Sequence, residues 1–154
     1  MTEVSFYHLQ RMPLEQALPK LLERTLERGT NALVLAGSSE RVDHLSDALW
    51  TYDAGSFLPH GSADDGAPER QPVFLTTEEE NPNGAEFLFL VDGGQPSFLG
   101  TFQRVLDLFD GNNDGAVAEA RERWKSARAA GFEVTYWKQS DAGRWEKANR
   151  LLGS

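Results

Sequence analysis

Positive charge is crowded into one short stretch near the C-terminus. "ARERWKSARAAGFEV" (residues 120–134) carries Arg121, Arg123, Lys125 and Arg128, with Trp124 among them. Cations spaced three and four apart on a helix share a face, and an Arg fork grips a carboxylate through two parallel hydrogen bonds. On a helical wheel Arg121, Lys125, Arg128, Val117 and Trp124 fall in a stripe roughly 100° wide. Ala116, Ala120, Ala127 and Ala130 form a small-residue side suited to close packing on a sheet. Arg123 falls near that side, four residues after Glu119, a favourable spacing for an ion pair. Two readings fit the stripe: a solvated face without a role, or a docking face for something negative. A solvated face would intersperse signs and seldom carry a Trp, whereas Glu119 and Glu122 both lie off the stripe. Three cations beside a valine and an indole suit a short acidic peptide with an apolar anchor better than a flat phosphate backbone.

The remaining chemistry-bearing residues are scattered. His8, His44 and His60 read as strand, helix and loop, without i, i+4 pairing or an HExxH motif, so no metal site is expected. Asp110, Asn112, Asp114 and Gly115 open like a calcium loop, but Arg121 occupies the twelfth position, where a bidentate Glu is needed. That segment reads as a turn supplying a helix cap. The first strand is followed by "HLQRMPLEQ", without the glycines that let backbone amides approach a dinucleotide's phosphates, and the second by Gly37 alone. No G-x-S-x-G elbow is present. Asp64–Asp65 and Glu78 to Glu80 sit in turns and read as solvating charge. Neither catalytic residues nor a cofactor are expected.

Charge is divided unevenly along the 154 residues: net −13 over residues 1–120 and +4 over residues 121–154. An acidic body repels nucleic-acid phosphates, which argues against direct duplex binding and for one anion-seeking surface. No cysteine occurs, which excludes disulfides and suits a reducing cytosol. No signal peptide or membrane span is legible, and a cytoplasmic location is expected.

The elements that would position these residues alternate. "EVSFYHL" (3–9) reads as a strand, and Leu14 to Leu26 follows helical spacing up to Gly29, with Pro19 marking either a late start or a kink. "NALVLAG" (31–37) is a continuous apolar run, as in a strand buried on both faces. Ser38 or Ser39 caps a second helix, and residues 51–71 read as a long surface loop. "PVFLTT" and "AEFLFLV" are strands joined by a polar turn, "PSFLGTF" one helical turn, and "RVLDLFD" a strand. A helix over residues 113–130, stopped by Gly131, and the strand "FEVTYWKQ" complete the pattern. The order implies an α/β fold: a mostly parallel, Rossmann-like sheet with helices on both faces, in a single domain over residues 1–139. Residues 140–154 form a polar, basic tail with no assigned structure. Such a sheet alone also accommodates a nucleotide-dependent enzyme, and the basic C-terminal region a direct single-stranded nucleic-acid binder.

"ALW…SFLPH" (48–60) followed by "ARERWK…GF" (120–132), with "FYHL" and "LVLAG" ahead of them, resembles the chi subunit of bacterial DNA polymerase III over residues 3–138. That resemblance implies a non-catalytic accessory protein of the clamp loader. It implies binding of the acidic C-terminal tail of the single-stranded-DNA-binding protein, which ends in Pro-Phe with a free carboxylate. The tail site would comprise Val117, Arg121, Trp124, Lys125 and Arg128, with Arg121 on the terminal carboxylate and Val117 and Trp124 on the Phe. Val117 stands where a family member has a basic residue, and Trp124 where it has Tyr. A second surface, Trp50, Phe57, Pro59 and His60, would bind the psi subunit or another clamp-loader or helicase-like protein. DNA would be reached only indirectly.

Overall fold

The computed structural model describes residues 2–10, 12–51, 60–62, 67–93, 96–140 and 144–148, and only the backbone of Trp50. Among the described residues one eight-stranded sheet runs in the order β3-β4-β2-β5-β6-β1-β7-β8, with three helices. The elements are β1 (Glu3–Leu9), α1 (Leu14–Glu27), β2 (Ala32–Leu35), α2 (Ser39–Thr51), β3 (Gly61–Ser62), β4 (Val73–Thr76), β5 (Phe87–Leu90), β6 (Arg104–Asp110), α3 (Asp114–Ala129), β7 (Glu133–Gln139) and β8 (Trp145–Ala148). Every strand pair is parallel except β7 with β8. The α/β reading therefore holds.

Alternation along each strand sends side chains to two separate cores. Tyr7, Leu9, Val34, Phe89, Leu106 and Leu108 meet α1 and α2 on one face. Val4, Phe6, Leu33, Leu88, Val105 and Tyr136 meet α3 on the other. Ala32, Leu33 and Val34 are all fully buried, which is why that strand reads as an unbroken apolar run.

The helix boundaries have local causes. α1 starts at Leu14, ahead of Pro19, and runs through it to a stop at Gly29, whose φ of 79° is a left-handed value that glycine adopts without penalty. Ser38 is the cap of α2, its Oγ accepting from the Arg41 amide at 3.1 Å. Asn113 caps α3 by accepting from the Ala116 amide at 3.0 Å, and Gly131, at φ 88°, follows its end.

Three features go beyond the sequence reading. β4 and β5 are not neighbours: β2 lies between them and pairs with both. The segment read as one long loop contributes the short edge strand β3 and a 3-10 turn at Pro68–Arg70. The polar tail contributes β8, which pairs antiparallel along β7 and closes the opposite edge.

Candidate functional site

α3 lies across β1, β6 and β7, and its rotation about its own axis decides what it offers to solvent. The alanine side was expected to be the buried one. The buried residues are Val117, Ala120, Arg123, Trp124 and Ala127, a face turned roughly 40° toward Trp124 on the wheel. The cause is the indole. Trp124 is 4% exposed and meets Phe6 edge-on, with ring centroids 5.4 Å apart, and Tyr136 at 6.5 Å. Burying a ring of that size is worth roughly 4–6 kcal/mol at ~25 cal/mol per Å², far more than an alanine edge could return.

That rotation corrects two expectations. Val117 and Trp124 belong to the core rather than to an exposed stripe, at 7% and 4% exposure. Arg123 is drawn under the helix. Its Nε donates to Asp107 Oδ2 at 2.6 Å and its Nη2 to Oδ1 at 2.9 Å, so its partner is a buried carboxylate on β6 rather than Glu119. Burial pushes the Asp107 carboxyl above its usual range, with the Arg123 hydrogen bonds and charge acting in the opposite direction. The pair floors a cleft of about 190 Å³ on that flank of α3, walled by Phe6, Leu90 and Phe132.

The opposite flank, beyond Trp124 on the β7 side, carries the cations. Lys125 and Arg128 are exposed and Arg121 is half-buried. Lys125 also sits 3.6 Å from Glu122, an exposed pair that screens part of its charge. Lys138 emerges from β7 toward the same side of the sheet as α3. Buried anchors on one flank and cations on the other are what an anion-docking helix needs: a fixed phase and a charged edge that water can reach.

The groups with shifted protonation are structural. His8 is held below its usual value by burial and by Lys138, opposed by Gly111 and Asp110. Its Nδ1 lies 2.5 Å from the Tyr136 hydroxyl. Tyr7 and Tyr136 are raised by burial, Arg104 opposing the shift at Tyr7. Asp110 Oδ1 accepts from the Asn112 amide at 2.9 Å, so the calcium-like segment is spent on a turn and the α3 cap. Among the described residues no three His, Asp or Glu side chains are grouped to hold a metal. No described helix is long and apolar enough to cross a membrane.

Comparison with known proteins gives the arrangement its context. Residues 1–135 match the family described as DNA polymerase III chi subunit, HolC. The chain belongs to the chi family. It is 32% identical over 117 residues to a probable DNA polymerase III subunit chi of Rickettsia prowazekii, covering 71% of each chain. It is 27% identical to subunit chi of Escherichia coli, over 79% of this chain and 82% of the relative. For the subunit chi of Pseudomonas aeruginosa the figures are 25%, 87% and 94%. The chi family is one of replication accessory subunits, and β8 lies beyond the part its match covers.

Of the second surface that the chi resemblance implies, Phe57, Pro59 and the Trp50 side chain lie outside the described residues. His60 is described: it is 8% exposed, with Nε2 3.2 Å from Ser46 Oγ on α2, so it is turned inward. The residue that sequence reasoning missed is Asp107. Its signal was a lone acid in the apolar run "RVLDLFD", since a carboxylate buried there requires a buried cation.

Proposed function

We propose that this chi-family protein is a non-catalytic adaptor that binds the acidic C-terminal tail of single-stranded-DNA-binding protein and links it to the clamp loader. One observation carries the reading: Lys125 and Arg128, exposed, and Arg121, half-buried, line one flank of a helix locked to the sheet on its other side. They stand on a body whose first 120 residues are net −13, so an acidic ligand is drawn to this flank and repelled elsewhere. Arg121 takes the tail's terminal carboxylate. Lys125 and Arg128 take its acidic side chains, and, because Val117 and Trp124 are buried, the terminal Phe packs on the aliphatic stems of these exposed side chains. Trp50, Phe57 and Pro59 belong to the second surface, for psi or another clamp-loader or helicase-like protein, to which the inward-turned His60 offers little exposed area. The protein works in the cytoplasm, without a cofactor, and meets DNA through its partners.

Fluorescence anisotropy with a labelled tail peptide tests this reading. Arg121→Ala or Arg128→Ala removes a charge-assisted contact of about 1.5–3 kcal/mol, so each weakens binding by roughly ten- to a hundredfold. Binding weakens as salt is added, and a peptide lacking its final Phe binds poorly. Unchanged affinity in both Arg variants rules the face out.

A further inference from the structure

The opposite face of the sheet carries a second constellation that the adaptor role does not use. α1 packs on β2 and β6 and α2 on β4. Beyond α1, toward the β7–β8 edge, the sheet presents two half-buried indoles, Trp137 and Trp145. Trp137 lies parallel to Tyr7, with centroids 5.9 Å apart and planes 8° apart. Trp145 stands edge-on to the same ring at 5.0 Å and 83°. The two indoles therefore meet Tyr7 in nearly perpendicular planes and form an aromatic corner.

Arginines rim this corner. Arg24 and Arg28, at the end of α1, and Arg104 on β6 line the same cleft of about 270 Å³ as the two indoles. Arg104 is committed: it donates to Tyr7 Oη at 2.9 Å and to Ser5 Oγ at 3.1 Å, and lies 3.2 Å from Glu3. Arg24 and Arg28 are exposed and form no ion pair among the described residues. Arg28 lies over the ring of Phe87, 5.3 Å from its centroid, and both residues line the cleft. A helix C-terminus carries partial negative charge, which the two guanidiniums there offset.

Half-exposed indoles with exposed guanidiniums beside them match a ligand that is planar at one end and anionic at the other. We propose that this cleft binds one nucleotide unit, its base stacked on the Trp137–Trp145 corner and its phosphate held by Arg24 and Arg28. The volume falls just under the ~300 Å³ at which pockets for larger ligands begin, so it takes one base with its phosphate and not a dinucleotide. Its source is either a free mononucleotide or a single unstacked nucleotide of a DNA strand. The acidic body disfavours tracking a longer phosphate chain.

Titration of the intact protein with 5′-AMP, inorganic phosphate and a dT oligonucleotide, read by tryptophan fluorescence, tests the proposal. 5′-AMP or the oligonucleotide produces a saturable change, phosphate alone does not, and the tighter of the two nucleotide probes identifies the source. Trp145→Ala weakens binding by about five- to a hundredfold, the worth of one base-on-aromatic stack. Arg28→Ala, an exposed substitution that leaves the ring packing in place, keeps the test valid if the Trp variant fails to fold, and weakens binding by about tenfold or more. Arg128→Ala, on the other face, leaves nucleotide binding unchanged while impairing the tail peptide, so the two sites fail separately. No saturable change with either nucleotide probe overturns the proposal. So does phosphate binding as tightly as 5′-AMP, or nucleotide binding that survives Arg28→Ala and is lost with Arg128→Ala.

Discussion

Replacing Asp107 with alanine removes one half of a buried ion pair and strands the other. The carboxylate is 1% exposed and Arg123 8%, and two hydrogen bonds of 2.6 and 2.9 Å join them. Arg123 lies beneath α3 at the floor of a narrow cleft, so without the carboxylate its guanidinium is left largely desolvated and unpaired. Such a stranded charge costs about 3–5 kcal/mol, which for a chain of this length lowers Tm by roughly 6–20 °C. Substituting both partners with apolar residues, Asp107→Leu with Arg123→Met, removes the desolvation penalty with the charges, and its stability stays close to wild type or exceeds it. Guanidinium denaturation followed by circular dichroism measures both, and tail-peptide anisotropy on the same samples reports whether α3 keeps its phase. If Asp107→Ala loses less than about 1 kcal/mol, the guanidinium escapes to solvent, and the pair does not set the rotation of the helix that carries the cationic flank.

Three further substitutions test the neighbouring packing. Native His8 resists protonation because it is buried. Below pH 6.5 the unfolded chain therefore takes up a proton that the folded one refuses, and stability falls with falling pH, by at most about 1.4 kcal/mol per pH unit, until the depressed native value is passed. His8→Phe flattens that slope in denaturation midpoints compared between pH 7.5 and 5, and an unchanged slope assigns it elsewhere. A β-carbon on Gly111 would lie 1.8 Å from a ring carbon of His8, so Gly111→Ala costs about 1–3 kcal/mol in urea unfolding. Adding His8→Ala to it costs less than the sum of the two singles, and simple additivity would show that the two positions do not touch.

Element types were legible where one physical signal dominated. Period-two alternation in "EVSFYHL", helical spacing ended by Gly29 and Gly131, and a serine or asparagine ahead of each of the last two helices all act locally. Strand order was not legible, because nothing within "PVFLTT" or "AEFLFLV" says that β2 inserts between them. β8 escaped notice because four residues, two of them charged, carry too short an alternation, and the strand exists only through pairing with β7. The basic face was legible as a cluster of charge but misjudged in rotation. A wheel gives angles between side chains but not which arc faces the sheet, and that was decided by the Trp124 ring and by an aspartate on a different element.

β1 sits inside the sheet, yet its two neighbours are encoded late: Glu3 pairs with Arg104 on one side and with Glu133 on the other. At about 5–20 residues per second of synthesis, the ribosome takes roughly 5–20 s to make the chain between β1 and its first partner. Throughout that interval a strand containing Val4, Phe6 and Tyr7 has neither ladder satisfied. The half-sheet of β2, β4 and β5 can assemble first, but the two halves join only when β6 pairs with both β5 and β1. Sequence separations of a hundred residues and more place this protein among slow, topologically demanding folders. Its N-terminal strand is accordingly the segment most dependent on shelter while the chain is still growing.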